Sequence, residues 1–449
     1  MLENYLWFAL ETLGRECRTS RISQFAGIRT DADLKPVGEP LSLYCRPSDD
    51  FLPEPEAALI TGITPQYARQ HGLCEADFMA RVHEQLCEPG TCALGYNSLR
   101  FDDEFIRFSL YRNFYDAYER EYAGGNSRWD LLDVMRMMYA LQPDALQWPL
   151  RDDGQPSFKL EHLAKANECF EGEAHEALSD VRSLINIARK VKSAAPLLWR
   201  HCLDLRDKNA VGGKLATYKN QRILHVSGQF PAANACTGLM LPLMPHPLIK
   251  TRTLAVELRP EALKLIEYTA EQIEQNIFTK HSQMPEGETR IGLKEIHHNR
   301  CPILFEPDDA KALGLKLDMA HLGIDIQQAK EIHAQLNASA ESIMHKLAKV
   351  FDKQREFDNA DPDGALYSGF FDRADKAKFS KARASQGQAA LVFNDARLSE
   401  LYFRYKARNW PESLDTGERM LWQKHRSGRL NAETLQAYAA QCDALIAAN

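Results

Sequence analysis

The chain has 449 residues, of which 44% are hydrophobic and 26% charged, with a formal net charge of −7; that composition excludes a disordered or low-complexity chain and suits about two to four globular domains. No apolar run approaches the roughly 18 residues of a membrane span and no basic leader opens the chain, so a cytoplasmic protein without a membrane partner is expected. Ten cysteines lie scattered with no Cys-x-x-Cys pair, which argues against zinc ribbons and redox motifs and for reduced thiols.

In chain order, three β-rich runs come first, Leu6–Leu13, Ile22–Thr30 and Leu41–Pro47, and consecutive short runs predict an antiparallel meander. The first run carries Ala9 and Glu11, which period-2 geometry places on one face of the strand. Thr64 can cap a helix begun by Pro65, Ala76–Leu86 reads as an amphipathic helix, and a strand over Thr91–Asn97 leads into Asn97-Ser98-Leu99-Arg100-Phe101-Asp102. Strands followed by alternating helix and strand predict an α/β domain with its site at the carboxyl ends of the strands.

Beyond Asp102, the residues Arg107, Tyr111, Tyr115, Tyr118 and Tyr122, with Arg112 beside them, recur at spacings of three to four. That predicts one aromatic and positive helical side, suited to stacking bases and meeting phosphates, although any one ring could simply pack on the sheet. A helix is expected from Trp129, and another from Phe158 with Ser157 as its cap and Lys159 in its first turn. A further helix spans about Ala177 to Val191. The middle of the chain mixes β runs (Ile223–Ser227, Thr253–Leu258, Cys301–Leu304) with a helical stretch over Pro260–Gln275, and its His225, His297 and His298 read as surface or satisfied polar groups. Asn359–Gly364 reads as a polar loop. Between Arg373 and Leu430 stand 13 Lys or Arg against 6 Asp or Glu, which predicts a basic face on the C-terminal, helix-rich part.

Three acidic motifs recur in order: the strand Ala9-x-Glu11, Asn97-x3-Phe101-Asp102, and His175-x4-Asp180. In this order they resemble the ribonuclease-H-like 3′→5′ exonucleases, with Ala9 at the place of the first acid. Each motif is weak alone and the set is strong. Phe25–Thr30, Leu59–Pro65, Gly95–Glu104, Tyr111–Tyr115, Asn126–Met135, Pro156–Leu163, His225–Gly228, Leu366–Phe371 and Tyr405–Asn409 extend the likeness over nearly the whole chain, and together they are similar to the bacterial exonuclease I family. The resemblance implies a ribonuclease-H-like α/β exonuclease domain over 1–195, an SH3-like α+β domain over 196–351 and a C-terminal helical domain over 352–449. It also implies a monomer that degrades single-stranded DNA from the 3′ end to 5′-mononucleotides, and a possible contact with the acidic tail of single-strand-binding protein. By motif position the metal and catalytic residues fall on Ala9, Glu11, Asp102, His175 and Asp180. The strand contacts fall on Arg107, Tyr118, Arg136, Lys159 and the Tyr367–Phe371 region, Phe370 included, with Tyr122 where the family can show tryptophan.

Phosphodiester hydrolysis needs an activated water and neutralised phosphoryl oxygens, which two divalent ions supply; oxygen ligands point to magnesium, or manganese in its place. Glu11 and Asp180 are expected to ligate directly, Asp102 directly or through water, and His175 to take the proton from the water. Ala9 departs from the family's aspartate, and a methyl group ligates nothing. An engineered loss of activity is favoured over a natural non-catalytic DNA-binding relative, because Glu11, Asp102, His175 and Asp180 all remain. An RNA exonuclease of the oligoribonuclease kind shares the motifs but leaves about 250 residues without a role.

Overall fold

The computed structural model describes residues 4–172, 176–218, 220–353 and 361–448, without the side chains of residues 281, 307, 308, 311 and 448. By internal contacts it forms two compact units, one made of residues 1–128, 170–185 and 356–449 and the other of residues 129–169 and 186–355.

The first unit is organised on the strands β1 (Asn4–Thr12), β2 (Ile22–Thr30), β3 (Leu41–Tyr44), β4 (Thr91–Gly95) and β5 (Ser127–Asp130) in the sheet order β3-β2-β1-β4-β5. The expected meander is present: β1 pairs antiparallel with β2, and β2 with β3, while β4 runs parallel to β1. Phe8 and Leu10 of β1 enter a core with Phe25, Phe78, Val82, Phe105 and Ile106. Alternation then leaves Ala9 and Glu11, one residue out of phase, partly open on the opposite face. Short helices α1 (Pro55–Thr61) and α2 (Pro65–His71), the latter capped by Thr64, precede α3 (Glu75–Cys87) and α4 (Asp102–Arg112); α5 (Leu131–Leu141) and α6 (Leu160–Ala166) fall in the residues of the second unit, and α7 (Ala177–Ala194) begins in the first.

Several local expectations change. Trp129 and Asp130 belong to β5 rather than to a helix, and the Asp130 carboxylate caps α5 through Leu132 N–H. Ser157 bonds His162 instead of capping, and Lys159 occupies the cap position of α6. Helix α4 ends at Arg112, so Tyr115, Tyr118 and Tyr122 do not continue its face. The stretch Asp361–Gly364 is no solvated loop: Pro362–Gly364 forms a 3-10 turn with Asp363 buried.

The C-terminal helices of this unit pack through Leu398, Leu401, Tyr402 and Tyr405 against Tyr111, Phe114 and Cys74. Their junction is also ionic. Arg408 donates to both Asp50 and Asp363 with closest distances of 2.7 and 2.5 Å, Arg404 to Asp361 and Asp363, and Arg429 reaches all three carboxylates. Seven of the thirteen cations between Arg373 and Leu430 (Lys376, Lys378, Arg397, Arg404, Lys406, Arg408 and Arg429) are therefore paired with carboxylates. The side chains of Arg404 and Arg408 are buried, whereas Arg373, Lys376, Lys381, Arg419 and Lys424 stand exposed, so the expected basic face is partly neutralised by these pairs.

The second unit holds the five-stranded sheet β10-β6-β7-β8-β9, with β6 Ile223–Val226, β7 Thr237–Pro245, β8 Arg252–Glu257, β9 Leu293–His297 and β10 Ile303–Phe305, all pairs antiparallel. The stretch Pro260–Gln275 is broken at Thr269, which caps a fresh helix over Ala270–Phe278. His225 bonds the Ile303 carbonyl and His298 the Thr253 hydroxyl, as satisfied polar groups. No helix among the described residues is long and apolar enough to cross a membrane.

Candidate active site

Glu11 stands near the end of β1, beside the β-bulge between Glu11 and Thr12. Its neighbours arrive on helix starts. Residues Tyr96–Phe101 leave parallel β4 and turn into α4, whose first turn holds Asp102, Asp103 and Glu104, where the positive end of the helix dipole favours acids. Asp102 is fixed onto the strand itself, for the Leu10 backbone N–H, between Ala9 and Glu11, donates to its Oδ1 at 3.2 Å. Asp180 lies in the first turn of α7. That helix start is tied by Glu176, whose Oε2 accepts from Ser179 N–H and Oγ, both at 2.7 Å.

The electrostatics follow from this convergence. Burial, then the charges of Asp180, Asp102 and Glu176, push the Glu11 carboxyl up to about 8, since removing water and crowding like charges both penalise the ionised form. Glu176 thus belongs to the site and was missed in the sequence; its acceptor position three residues before Ser179 at a helix start was the available signal. His175 lies outside the described residues.

Asp103 has the opposite fate. Arg120 Nη2 and Arg128 Nη1 donate to its two oxygens at 2.5 and 2.6 Å. Burial opposes its charge, yet Arg120, Arg128 and Arg107 hold its carboxyl below the usual range.

The donor set at the strand end is oxygen only, which fits a hard divalent cation, and a positive ion would relieve the crowding that raises Glu11. The set is incomplete: among the described residues no group of three acidic, His or Cys side chains is arranged to hold an ion, and position 9, two residues from Glu11 on the same strand face, bears a methyl group.

The expected strand contacts separate into three groups. Tyr118, Tyr122, Tyr367, Phe370 and Phe371 line one pocket of about 510 Å³ together with Tyr111 and Leu366. Gly369, at φ 135°, makes the turn that only glycine adopts easily, so that Phe370 stands 92% exposed while Phe371 stacks on Tyr111 at 5.9 Å. Arg107 and Arg112 point elsewhere than expected. Arg112 is fully buried beside Glu75 and Ser109, because the face it occupies packs inward, and Arg107 is held by Glu121 and Glu104. Arg136 and Lys159 belong to the second unit. There Arg136 donates to Asp133 at 2.5 Å and lies over the Phe158 ring; a Cβ on Gly228 would come within 2.6 Å of its Cζ.

Residues 6–188 match the Exonuclease domain, 206–353 the Exonuclease I SH3-like domain and 360–449 the Exonuclease I C-terminal domain. The chain is 37% identical to exodeoxyribonuclease I of Escherichia coli (strain K12) over 98% of its own length and 93% of that protein. Its structure superposes on E. coli exonuclease I in complex with a dA16 oligonucleotide with a TM-score of 0.91, covering 99% of this chain and 95% of that one at 37% identity. For the moderately thermophilic exonuclease I of Methylocaldum szegediense the TM-score is 0.90 at 39% identity, covering 99% and 94%. The E. coli enzyme has also been solved as a zinc-bound complex with ssDNA and as SSB/Exonuclease I with the inhibitor CFAM. With its ribonuclease-H-like, SH3-like and helical parts all matched, this chain belongs to the exonuclease I family of 3′→5′ exodeoxyribonucleases.

Proposed function

We propose that the chain binds the 3′ end of single-stranded DNA and carries a site built for magnesium-dependent, two-ion hydrolysis to 5′-mononucleotides, in DNA repair and recombination, as a cytoplasmic monomer. One observation carries this reading: Asp102, bound to the Leu10 N–H of β1, and Asp180 and Glu176 at the start of α7 gather beside Glu11, whose carboxyl is pushed up to about 8 by burial first and by their charges next. Carboxylates gathered without a cationic partner among them are what a site for a divalent cation needs. The dA16 complex of the E. coli relative supports DNA as the ligand, and the relative's SSB/Exonuclease I structure supports SSB as a partner, which the family resemblance assigns to an acidic tail. The division into an exonuclease domain over 1–195, an SH3-like domain over 196–351 and a helical domain over 352–449 belongs to the same reading.

Glu11, Asp102 and Asp180 would hold the ions, magnesium or manganese in its place. Bound there, divalent ions supply an activated water and neutralise the charge that develops on the phosphoryl and leaving oxygens. His175 accepts the proton from the attacking water, a task suited to a group titrating near neutrality. The rings of the aromatic pocket stack unpaired bases, which duplex DNA does not offer.

Ala9 removes one donor from this set, so the chain as written binds DNA and hydrolyses it poorly. We read it as an inactivated Asp-to-Ala variant; a natural non-catalytic DNA-binding relative is the second reading, favoured by Ala9 alone. The test is the substitution Ala9→Asp. With magnesium and a 3′-ended single strand, the substituted protein should release mononucleotides at least about a thousandfold faster, the scale of restoring a principal electrostatic element of the transition state. Fast release by the unmodified chain, or no gain on substitution, overturns the assignment.

A further inference from the structure

The charged groups beside the aromatic pocket form one continuous chain of contacts that the hydrolytic site does not use. Glu104 follows Asp102 by two residues in the first turn of α4. Both its oxygens are engaged: Oε1 accepts from Arg107 Nη1 at 2.6 Å, and Oε2 from the Tyr367 hydroxyl at 2.5 Å. Arg107 turns its other edge to Glu121, with Nε and Nη2 donating at 2.8 and 3.1 Å. Glu121 is in turn bound by Arg128, which holds Asp103.

Arg107 has its Nε and both terminal nitrogens committed to carboxylates, so it is poorly placed to clamp a phosphate; its guanidinium instead lies 5.4 Å from the centroid of the Tyr118 ring and supports that ring from one side. Tyr367, edge-on to Phe108 at 5.6 Å, comes from a segment 263 positions from Glu104 in the chain. Its hydroxyl is anchored to the same carboxylate that orients Arg107. A single side chain therefore sets two rings that line the pocket, Tyr118 and Tyr367, and it does so from the helix turn that also carries Asp102.

We propose that Glu104 is a positioning residue for the DNA strand: it fixes the stacking rings of the pocket in register with the catalytic end of β1 through α4. This rests on the reading of the pocket as the base-stacking site. The side chain touches neither the strand nor the reacting phosphate, and acts through Tyr367 and Arg107.

The test uses the chain as it stands, with fluorescence anisotropy on a labelled dT12 strand at several salt concentrations. Glu104→Ala should weaken binding about 5- to 20-fold, within the range of loosening one or two stacking contacts, with the slope of log affinity against log salt unchanged. Tyr367→Phe, which removes only the anchored hydroxyl, should reproduce part of that loss. In the double variant the two effects should be less than additive, since both break the same bond. Full affinity in Glu104→Ala, strictly additive losses, or a loss that comes with a reduced salt slope would overturn the proposal. Tyr118→Ala separates this from failure of the underlying reading. If it too leaves affinity intact, the pocket does not stack bases; if it weakens binding while Glu104→Ala does not, only the positioning role falls.

Discussion

Two buried acidic clusters in the first unit face opposite ways energetically. At the end of β1, Glu11 meets Asp102, Asp180 and Glu176, and its carboxyl is pushed up to about 8. At the junction with the C-terminal helices, Asp50 and Asp363 are buried more completely, yet Arg408, His425, Arg21 and Arg429 hold Asp50, and Arg408, Arg21 and Arg404 hold Asp363, well below the usual carboxylate range against the effect of burial. Burial penalises both sets, and the partners decide the sign. One cluster leaves like charges facing one another, and the other is completed by the chain's own guanidinium groups. The adjacent pair Asp102 and Asp103 repeats the contrast within one helical turn.

The comparison is broken most sharply at Arg408. Arg408→Ala leaves Asp50 and Asp363 buried with fewer partners, and should cost about 3–5 kcal/mol of stability in chemical denaturation, the range for uncoupling a buried ion pair. A loss below about 1 kcal/mol would mean that Arg404, Arg429 and His425 suffice alone and that the cluster is redundant.

Acid should sharpen it next. Asp50, Asp363 and Asp103 have folded values below their unfolded value near 3.8, so their contribution is fully present above that value and drains away as pH falls through the folded ones. Thermal melts should therefore decline steeply below about pH 4. A melting temperature unchanged between about pH 5 and 3 would refute the pairing.

The smallest effect has the opposite slope. Glu11 is raised from 4.5 to about 8, so its ionisation costs the folded state an amount that grows as pH rises through that window and is complete above it. In metal-free buffer, stability should decline modestly over this range. Magnesium should restore more of it at the upper end than at the lower, and Asp180→Asn should flatten the slope. Equal stabilisation by magnesium at both ends would show that the ion binds elsewhere.

The candidate site residues were legible through the motifs they share with the family, and local rules agree with their placement. Alternation along β1 puts positions 9 and 11 on one face whatever they pack against, and Asp102 and Asp180 head helices because acids are favoured there. The aromatic pocket was half legible. Its rings were named from the sequence, but Tyr118 and Tyr122 were assigned to one helical side that ends at Arg112, and the bond from Tyr367 to Glu104 gives no local signal.

What the sequence determined by itself was the strand order of the meander, the three acidic motifs and the family they resemble, since each is written in spacings of a few residues. What only the tertiary structure decided was where the charge goes. A count of 13 cations against 6 acids over Arg373–Leu430 predicted a basic face, but Arg408 finds its partner Asp50 across 358 positions of chain. Asp363, in a stretch that reads as a polar loop, is buried among three of those arginines and Arg21. Composition sums charges along the chain, whereas electrostatic energy depends on distances in space and on the water removed around each group, and neither quantity exists until the chain has folded.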